Sequence, residues 1–279
     1  MKHYTSTQFA RRITDALAEQ LGPNHPDTLD ARFRLGWELG MAGDPAAALA
    51  CMKQLMPHAV RLYGAHDRKT LDLKRGLANW TGHAGDPAAA IQLYAELVTT
   101  YAEALGHHDR KVFDSRDALA RWTAEAGDYT SALRLRHELV VDMERAHAPR
   151  DDVIGARYRL AYWATKASDY DNAQNFWRRV IADAHAAHGR FHITTLEGRS
   201  GLAECIGKAG DSAAAVRLLH DVIADSEQLG PLAAVTCCCA VAALRIGPGK
   251  PAIPTALPNN SSNSSPSVPR NSAPVTQPP

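Results

Sequence analysis

The sequence predicts an all-α solenoid of stacked antiparallel helix pairs, and three observations predict it. A Gly-Asp mark recurs along most of the chain, apolar residues keep fixed offsets from it, and the offsets follow helical spacing rather than alternation. The mark falls at Gly43-Asp44, Gly85-Asp86, Gly127-Asp128, Ser168-Asp169 and Gly210-Asp211, at intervals of 42, 42, 41 and 42 residues. Fourteen residues before it stand Leu29, Leu71, Phe113, Ile154 and Leu196, and eight before it Leu35, Leu77, Leu119, Leu160 and Leu202. Seven before it the residue is always small: Gly36, Ala78, Ala120, Ala161 or Ala203. After the mark, Ala48, Ala90, Ala132, Ala173 and Ala215 recur at +5. Leu55, Leu97, Leu139, Val180 and Val222 recur at +12, with Cys51, Leu93, Leu135, Phe176 and Leu218 at +8.

Taken in order, residues 1–27 read as an N-terminal cap, with a lone helix over 8–21. Five repeats follow over 28–229. Helix A of each covers 28–41, 70–83, 112–125, 152–166 and 194–208; helix B covers 45–62, 87–104, 129–146, 170–187 and 212–229. Glycine at the mark can take the left-handed conformation that ends helix A, and the following Asp can cap the bare N–H groups of helix B. Pro45 and Pro87 then occupy the one helical position where a missing N–H costs nothing. Ser168 replaces glycine in the fourth copy, so that corner is expected to be strained or rearranged. A single hairpin buries too little to stand alone, and neighbours must stack.

Residues 230–247 read as a closing helix whose stretch 232–246 is unusually apolar for a cap, which makes it a candidate for self-association. Residues 248–279 hold nine prolines, six serines and no acid, a composition that cannot offset chain entropy by burial. Spaced prolines and the sequons at Asn259, Asn260 and Asn263 lie in this tail, and the sequons matter only in an exported protein.

The repeats resemble the tetratricopeptide family in a long form of about 42 residues, and more narrowly the kinesin-light-chain-type repeats of bacterial regulatory proteins. The resemblance rests on Leu21-Gly22-Pro23-Asn24-His25-Pro26-Asp27-Thr28-Leu29, then Leu35-Gly36, Gly43-Asp44 and Ala48. It returns as Tyr63-Gly64-Ala65-His66-Asp67 with Thr70-Leu71 and Leu77-Ala78, and as Leu105-Gly106-His107-His108-Asp109. It covers about residues 8–229; the junctions at 147–151 and 188–192 depart from it. The resemblance implies a right-handed superhelix with partners along a concave face lined by helix A.

Carried over by offset (−13, −10 and −6 from the mark), that face presents Asp30, Phe33 and Trp37, then Asp72, Arg75 and Asn79, then Asp114, Asp117 and Arg121. Gly155, Tyr158 and Tyr162 follow, then Glu197, Ser200 and Glu204. These positions vary between copies while the packing positions do not. Phe33, Trp37, Tyr158 and Tyr162 offer aromatic anchors, and Arg75 and Arg121 can pair with carboxylates of an extended peptide. The acids make a polyanion a poor guest.

Two further series recur. Arg32, Lys74, Arg116, Arg157 and Arg199 share offset −11 and form a basic ladder that either pairs locally or reads phosphates. Trp80, Trp122 and Trp163 share offset −5, beside the buried stripe, where packing between repeats is the expected role.

Composition bounds the rest. A net charge of +1 argues against a dedicated nucleic-acid binder. The longest near-apolar run, Leu232 to Leu244, is too short to span a bilayer, so no membrane partner is expected. No apolar leader follows the N-terminus, so the expectation is a cytoplasmic protein with reduced cysteines; adjacent Cys237-Cys238-Cys239 make a poor chelating face. No nucleotide loop, zinc motif or nucleophile elbow is present, and no cofactor is expected. His25, His66 and His107-His108 recur in the inter-repeat loops, spread along the stack rather than converging on one ion. The expectation is a non-catalytic scaffold for a protein or peptide. The alternatives are a metal-binding or enzymatic protein using those histidines, and nucleic-acid binding through the basic ladder.

Overall fold

A computed structural model gives the arrangement of residues 6–229, the described part of the chain. The predicted segments 230–247 and 248–279 lie outside it. Eleven α-helices follow one another among the described residues. They are α1 (Ser6–Leu21), α2 (Pro26–Met41), α3 (Pro45–Tyr63), α4 (Arg68–His83), α5 (Pro87–Leu105) and α6 (Arg110–Glu125). Then come α7 (Tyr129–Arg145), α8 (Arg150–Lys166), α9 (Tyr170–His188), α10 (Ile193–Lys208) and α11 (Ser212–Ser226), with a 3-10 turn at Glu227–Leu229. The even-numbered helices α2 to α10 are the A helices, the odd-numbered α3 to α11 are the B helices, and α1 packs on α2.

Each helix packs on its neighbours in sequence, as a stack of hairpins requires. In addition α2 touches α4, α4 touches α6 and α8 touches α10, while the B helices make no comparable contact with one another. The stack therefore curves with the A helices inside, and their shared surface is the groove.

The A helices begin one or two residues earlier than the apolar spacing predicts, and before four of the five the loop residue supplies a side-chain cap. His25 and His192 accept from the amides of Asp27 and Thr194 through Nδ1, and Asp67 and Asp109 accept from Lys69 and Lys111. At the mark, Gly43, Gly85, Gly127 and Gly210 take φ of 94–109°. Asp44, Asp86, Asp128 and Asp211 each accept from the amide three residues on. Ser168 is forced to φ 60° at the same corner, and the rearrangement is next door: Asp169 gives its carboxylate to the Asn172 side-chain amide and makes no cap bond. Ser168→Gly removes the left-handed strain at some cost in unfolded-state entropy, a net gain of about 0.5–1 kcal/mol. A rise in the urea midpoint without a change of slope checks it.

Of the two irregular junctions, the one at 188–192 is regular in geometry. Gly189 takes φ 91° and Thr195 donates to its carbonyl at 2.9 Å, as Thr28 does to that of Gly22. The junction at 147–151 does differ. His147 takes φ 51°, Pro149 precedes α8 with no side-chain cap, and one residue is missing from the interval.

The small residues at −7 and +5 and the apolar ones at −14 and +12 are all buried, so hairpins close on a methyl-lined seam. The −8 leucines are only half-buried except Leu160, and all five +8 residues are half-buried. The second buried register of helix B is instead +9: Met52, Tyr94, Arg136, Trp177 and Leu219. The Trp80 and Trp122 indoles lie flat in notches left by Gly40 and Gly82 of the preceding repeat. Trp163, whose register neighbour is Ala124, is less buried.

Candidate functional site: the groove of the A helices

The groove is built by cross-repeat pairs, each with at least one partner at a predicted offset. Lys69 reaches Asp30 at 2.8 Å and Lys111 reaches Asp72 at 2.6 Å, each lysine sitting one repeat further along at offset −16. Arg121 donates through Nη2 to Asn79 Oδ1 at 2.8 Å. Arg159 donates through Nε to Asp117 Oδ1 at 3.0 Å. The lysine ladder stops there, because Asp152 occupies the next −16 position and pairs with Arg110 at 3.5 Å. Asp114 thereby has no ion pair among the described residues.

At the N-terminal end Phe33 meets Trp37 edge-on at 6.3 Å, Trp37 meets Trp80 at 5.1 Å, and the Arg75 guanidinium lies 5.7 Å from the Trp37 ring. A cavity of about 270 Å³ opens beside Phe33, lined also by Leu29, Asp30, Tyr63, Lys69 and Leu73. The Tyr63 hydroxyl there is buried without a partner. At the C-terminal end Tyr158 stands edge-on to Trp177 at 4.9 Å and Tyr162 edge-on to Trp163 at 5.6 Å. Burial, with Glu197 and Glu204 nearby, pushes the Tyr158 hydroxyl up to about 12. Glu197 has no ion pair, and burial raises its carboxyl; Glu204 is held by Lys208 at 2.5 Å.

Fourteen of the fifteen residues carried over to this face keep some exposure along the strip, among them Phe33, Trp37, Arg75, Asn79, Asp117, Arg121, Tyr158, Tyr162 and Glu204. Ser200 does not. It is 9% exposed and its hydroxyl is bonded to the Leu196 carbonyl, so it has little to offer a guest. The sequence reading missed Arg136, which reaches from helix B to Asp117 at 2.5 Å, and Arg159, its neighbour on the same carboxylate. An arginine at an otherwise apolar offset was the signal for the first. Arg159 sits at −9, displaced by the short interval, and escaped a fixed-offset rule.

The basic ladder at −11 is largely spent on structure. Arg116 pairs with Asp142 at 2.9 Å, Arg157 with Glu144 and Asp183, and Arg199 with Asp225. Three of these acids share offset +15, where repeats one and two carry His58 and Thr100, and among the described residues Arg32 and Lys74 have no ion pair. Among the described residues no three metal-ligating side chains gather, and no helix is long and apolar enough to cross a membrane.

His192 is the titrating cap. Its ring stacks on His188 at 4.4 Å, and burial together with His188 lowers its pKa from the ordinary value near 6.5. The unfolded chain therefore takes up the proton first, so this contribution is whole above about pH 6.5 and is lost as pH falls through the depressed folded value. His192→Asp keeps a cap acceptor of the kind used by Asp67 and Asp109 without titrating there. The expected result is a smaller loss of urea midpoint between pH 7.5 and 5.5 in the variant than in the wild type.

The fold and groove define a tetratricopeptide-like repeat protein. Its structural neighbours include kinesin-light-chain-like repeats. The nearly identical TPR-like repeats of a kinesin light chain from Podospora anserina superpose with a TM-score of 0.64 at 19% identity, over 74% of this chain and 97% of that one. BtubC (BKLC) from P. vanneervenii superposes at 0.61 and 17% identity, over 91% and 98%. NprR in complex with its cognate peptide NprX superposes at 0.53 and 14% identity, over 82% and 64%. No protein-family profile matches the sequence, and no curated protein sequence does.

Proposed function

We propose that the chain is a non-catalytic scaffold whose groove holds an extended peptide or protein segment, in a regulatory setting inside the cytoplasm. The observation that supports it is the groove itself: a preformed strip with half-exposed aromatic pairs at both ends and arginines between them. A preformed groove limits the ordering cost of binding to the guest. NprR, a neighbour in fold, is seen with a peptide, which adds support by analogy. The pairing of the −11 ladder and the unpaired Glu197 weigh against a polyanion.

The test is selection of displayed random dodecapeptides on the full chain and on the variant Arg75→Ala/Arg121→Ala/Tyr162→Ala, shown by circular dichroism to be folded. Peptides retained by the wild type and lost by the folded variant are expected. Recovery of no peptide, or equal recovery by both proteins, overturns the groove assignment.

A further inference from the structure

At offset +9 four repeats bury Met52, Tyr94, Trp177 and Leu219 against their A helices. The third repeat places Arg136 there, 1% exposed. A buried guanidinium is costly, and a well-packed apolar side chain in its place is commonly neutral or better for stability. The fold therefore does not need an arginine in this slot, as the other four repeats show.

Arg136 Nη1 reaches through the hairpin to Asp117 Oδ1, and Arg159 Nε holds the same oxygen from the next A helix. Burial works to raise the Asp117 carboxyl, but Arg136 and Arg159, with Arg121 behind them, outweigh it and hold it below the usual carboxylate range. One carboxylate thus faces three guanidiniums, and with Asp114 one turn earlier on α6 as the second acid nearby the guanidiniums remain in excess. Arg121 spends only Nη2, on the neutral Asn79 amide, and Arg159 spends only Nε, so the remaining donors of both forks have no acceptor among the described residues. The Arg136 Nε is itself buried without a partner. Towards the N-terminus Asp30–Lys69 and Asp72–Lys111 pair off, with Arg75 also on Asp72 and Asp114 beside them, and towards the C-terminus Glu197 and Glu204 reverse the charge.

We propose that Arg136 makes the centre of the groove an anion seat, formed by Arg121 and Arg159 over Asp117, that takes a single Asp or Glu side chain of an extended peptide. This deepens the groove reading above and rests on it. The donors left on these two guanidiniums match the planar, two-oxygen geometry of a carboxylate. Acids bordering the seat limit it to one isolated anion, and the aromatic pairs at 33/37 and 158/162 call for apolar residues on both flanks of that acid. Arg136 acts as a positioning residue: it commits Asp117 from below. Without it Asp117 satisfies itself on Arg159 and Arg121, and the seat's surplus falls by one positive charge.

The probe is the displayed dodecapeptide library on the full chain, followed by synthesis of the best binder and of its Glu→Gln or Asp→Asn twin. The wild type is expected to enrich one acidic position, with the twin weaker by about tenfold, the order of one charge-assisted hydrogen bond. Arg136→Met, which borrows the residue that repeat one uses in the same slot, is expected to stay folded and to cut that acid preference to about threefold or less. Arg159→Gln, at a side chain 42% exposed and outside the core, serves as the second variant with the same expected loss. Selected peptides without an acidic position, or an undiminished preference in both variants, overturn the seat while leaving the groove reading intact. Recovery of no peptide overturns both. Displacement of the peptide by oligo-dT with a steep salt dependence overturns the seat in favour of a polyanion surface.

Discussion

Gly82→Ala is expected to destabilise the protein although it puts a better helix former into a helix. Alanine gains about 0.5–1 kcal/mol over glycine from propensity alone. A Cβ at position 82, however, stands 2.5 Å from the ring atoms of Trp122, which no side chain tolerates. That indole cannot step aside. It is buried, His83 lies edge-on to it at 5.0 Å, and the Arg121 guanidinium sits 4.5 Å from its centroid. Overpacking of this kind costs about 1–3 kcal/mol or more, so a net loss of about 2 kcal/mol is expected. Repeats stack by nearest neighbours, so the loss falls on the interface between the second and third repeats and should broaden the unfolding transition. Gly155→Ala on α8 is the internal control. The only atom near its Cβ is Arg159 Nη1 at 3.5 Å, so the same substitution should stabilise. Urea denaturation of the two variants should move the midpoint in opposite directions; a shift of the same sign in both would refute the notch.

The fold was legible because its determinants are local and repeated. A left-handed corner demands glycine, a bare helix start demands a short acceptor, and close hairpins demand Ala or Gly. Each demand therefore returns at one offset, as Gly85, Asp86 and Ala90 illustrate. The details that escaped are those in which a position answers to a residue in another repeat. Gly40 and Gly82 are dictated by Trp80 and Trp122, one repeat later, and look like ordinary helical glycines when read alone. The −8 leucines look like core by spacing, but curvature turns them half outward, and the +9 register takes the interior. Within the groove, the offsets bring Arg121 onto Asn79 and set Trp37 beside Phe33. They failed at Ser200, where a small polar residue could bond its own helix and turn in. They also failed at Arg159, because the 41-residue interval moved the register by one. What a groove holds is set by chemistry that no packing demand repeats, which is why the guest is the last thing such a sequence discloses.

The second large effect is an asymmetry within one ion pair. Asp117→Ala should cost about 2–4 kcal/mol, whereas Arg136→Met should cost little or stabilise. The two side chains share a hydrogen bond at 2.5 Å, but they differ in where they leave their partner. Removing the carboxylate strands a guanidinium that is 2% exposed, and adds the repulsion of Arg159 and Arg121 to its desolvation; burial already disfavours the Arg136 cation. Removing the arginine leaves Asp117 at 22% side-chain exposure with Arg159 still bonded to it. A thioether in the vacated slot then gains the apolar contacts that Met52 makes in the first repeat. The double variant Asp117→Ala/Arg136→Met should therefore recover most of what Asp117→Ala loses, with a coupling energy of about 2 kcal/mol in a double-mutant cycle. Equal losses in the two single variants, simply added in the double, would mean that Arg136 contributes packing alone and that its charge is not what ties the core of the third repeat to the groove.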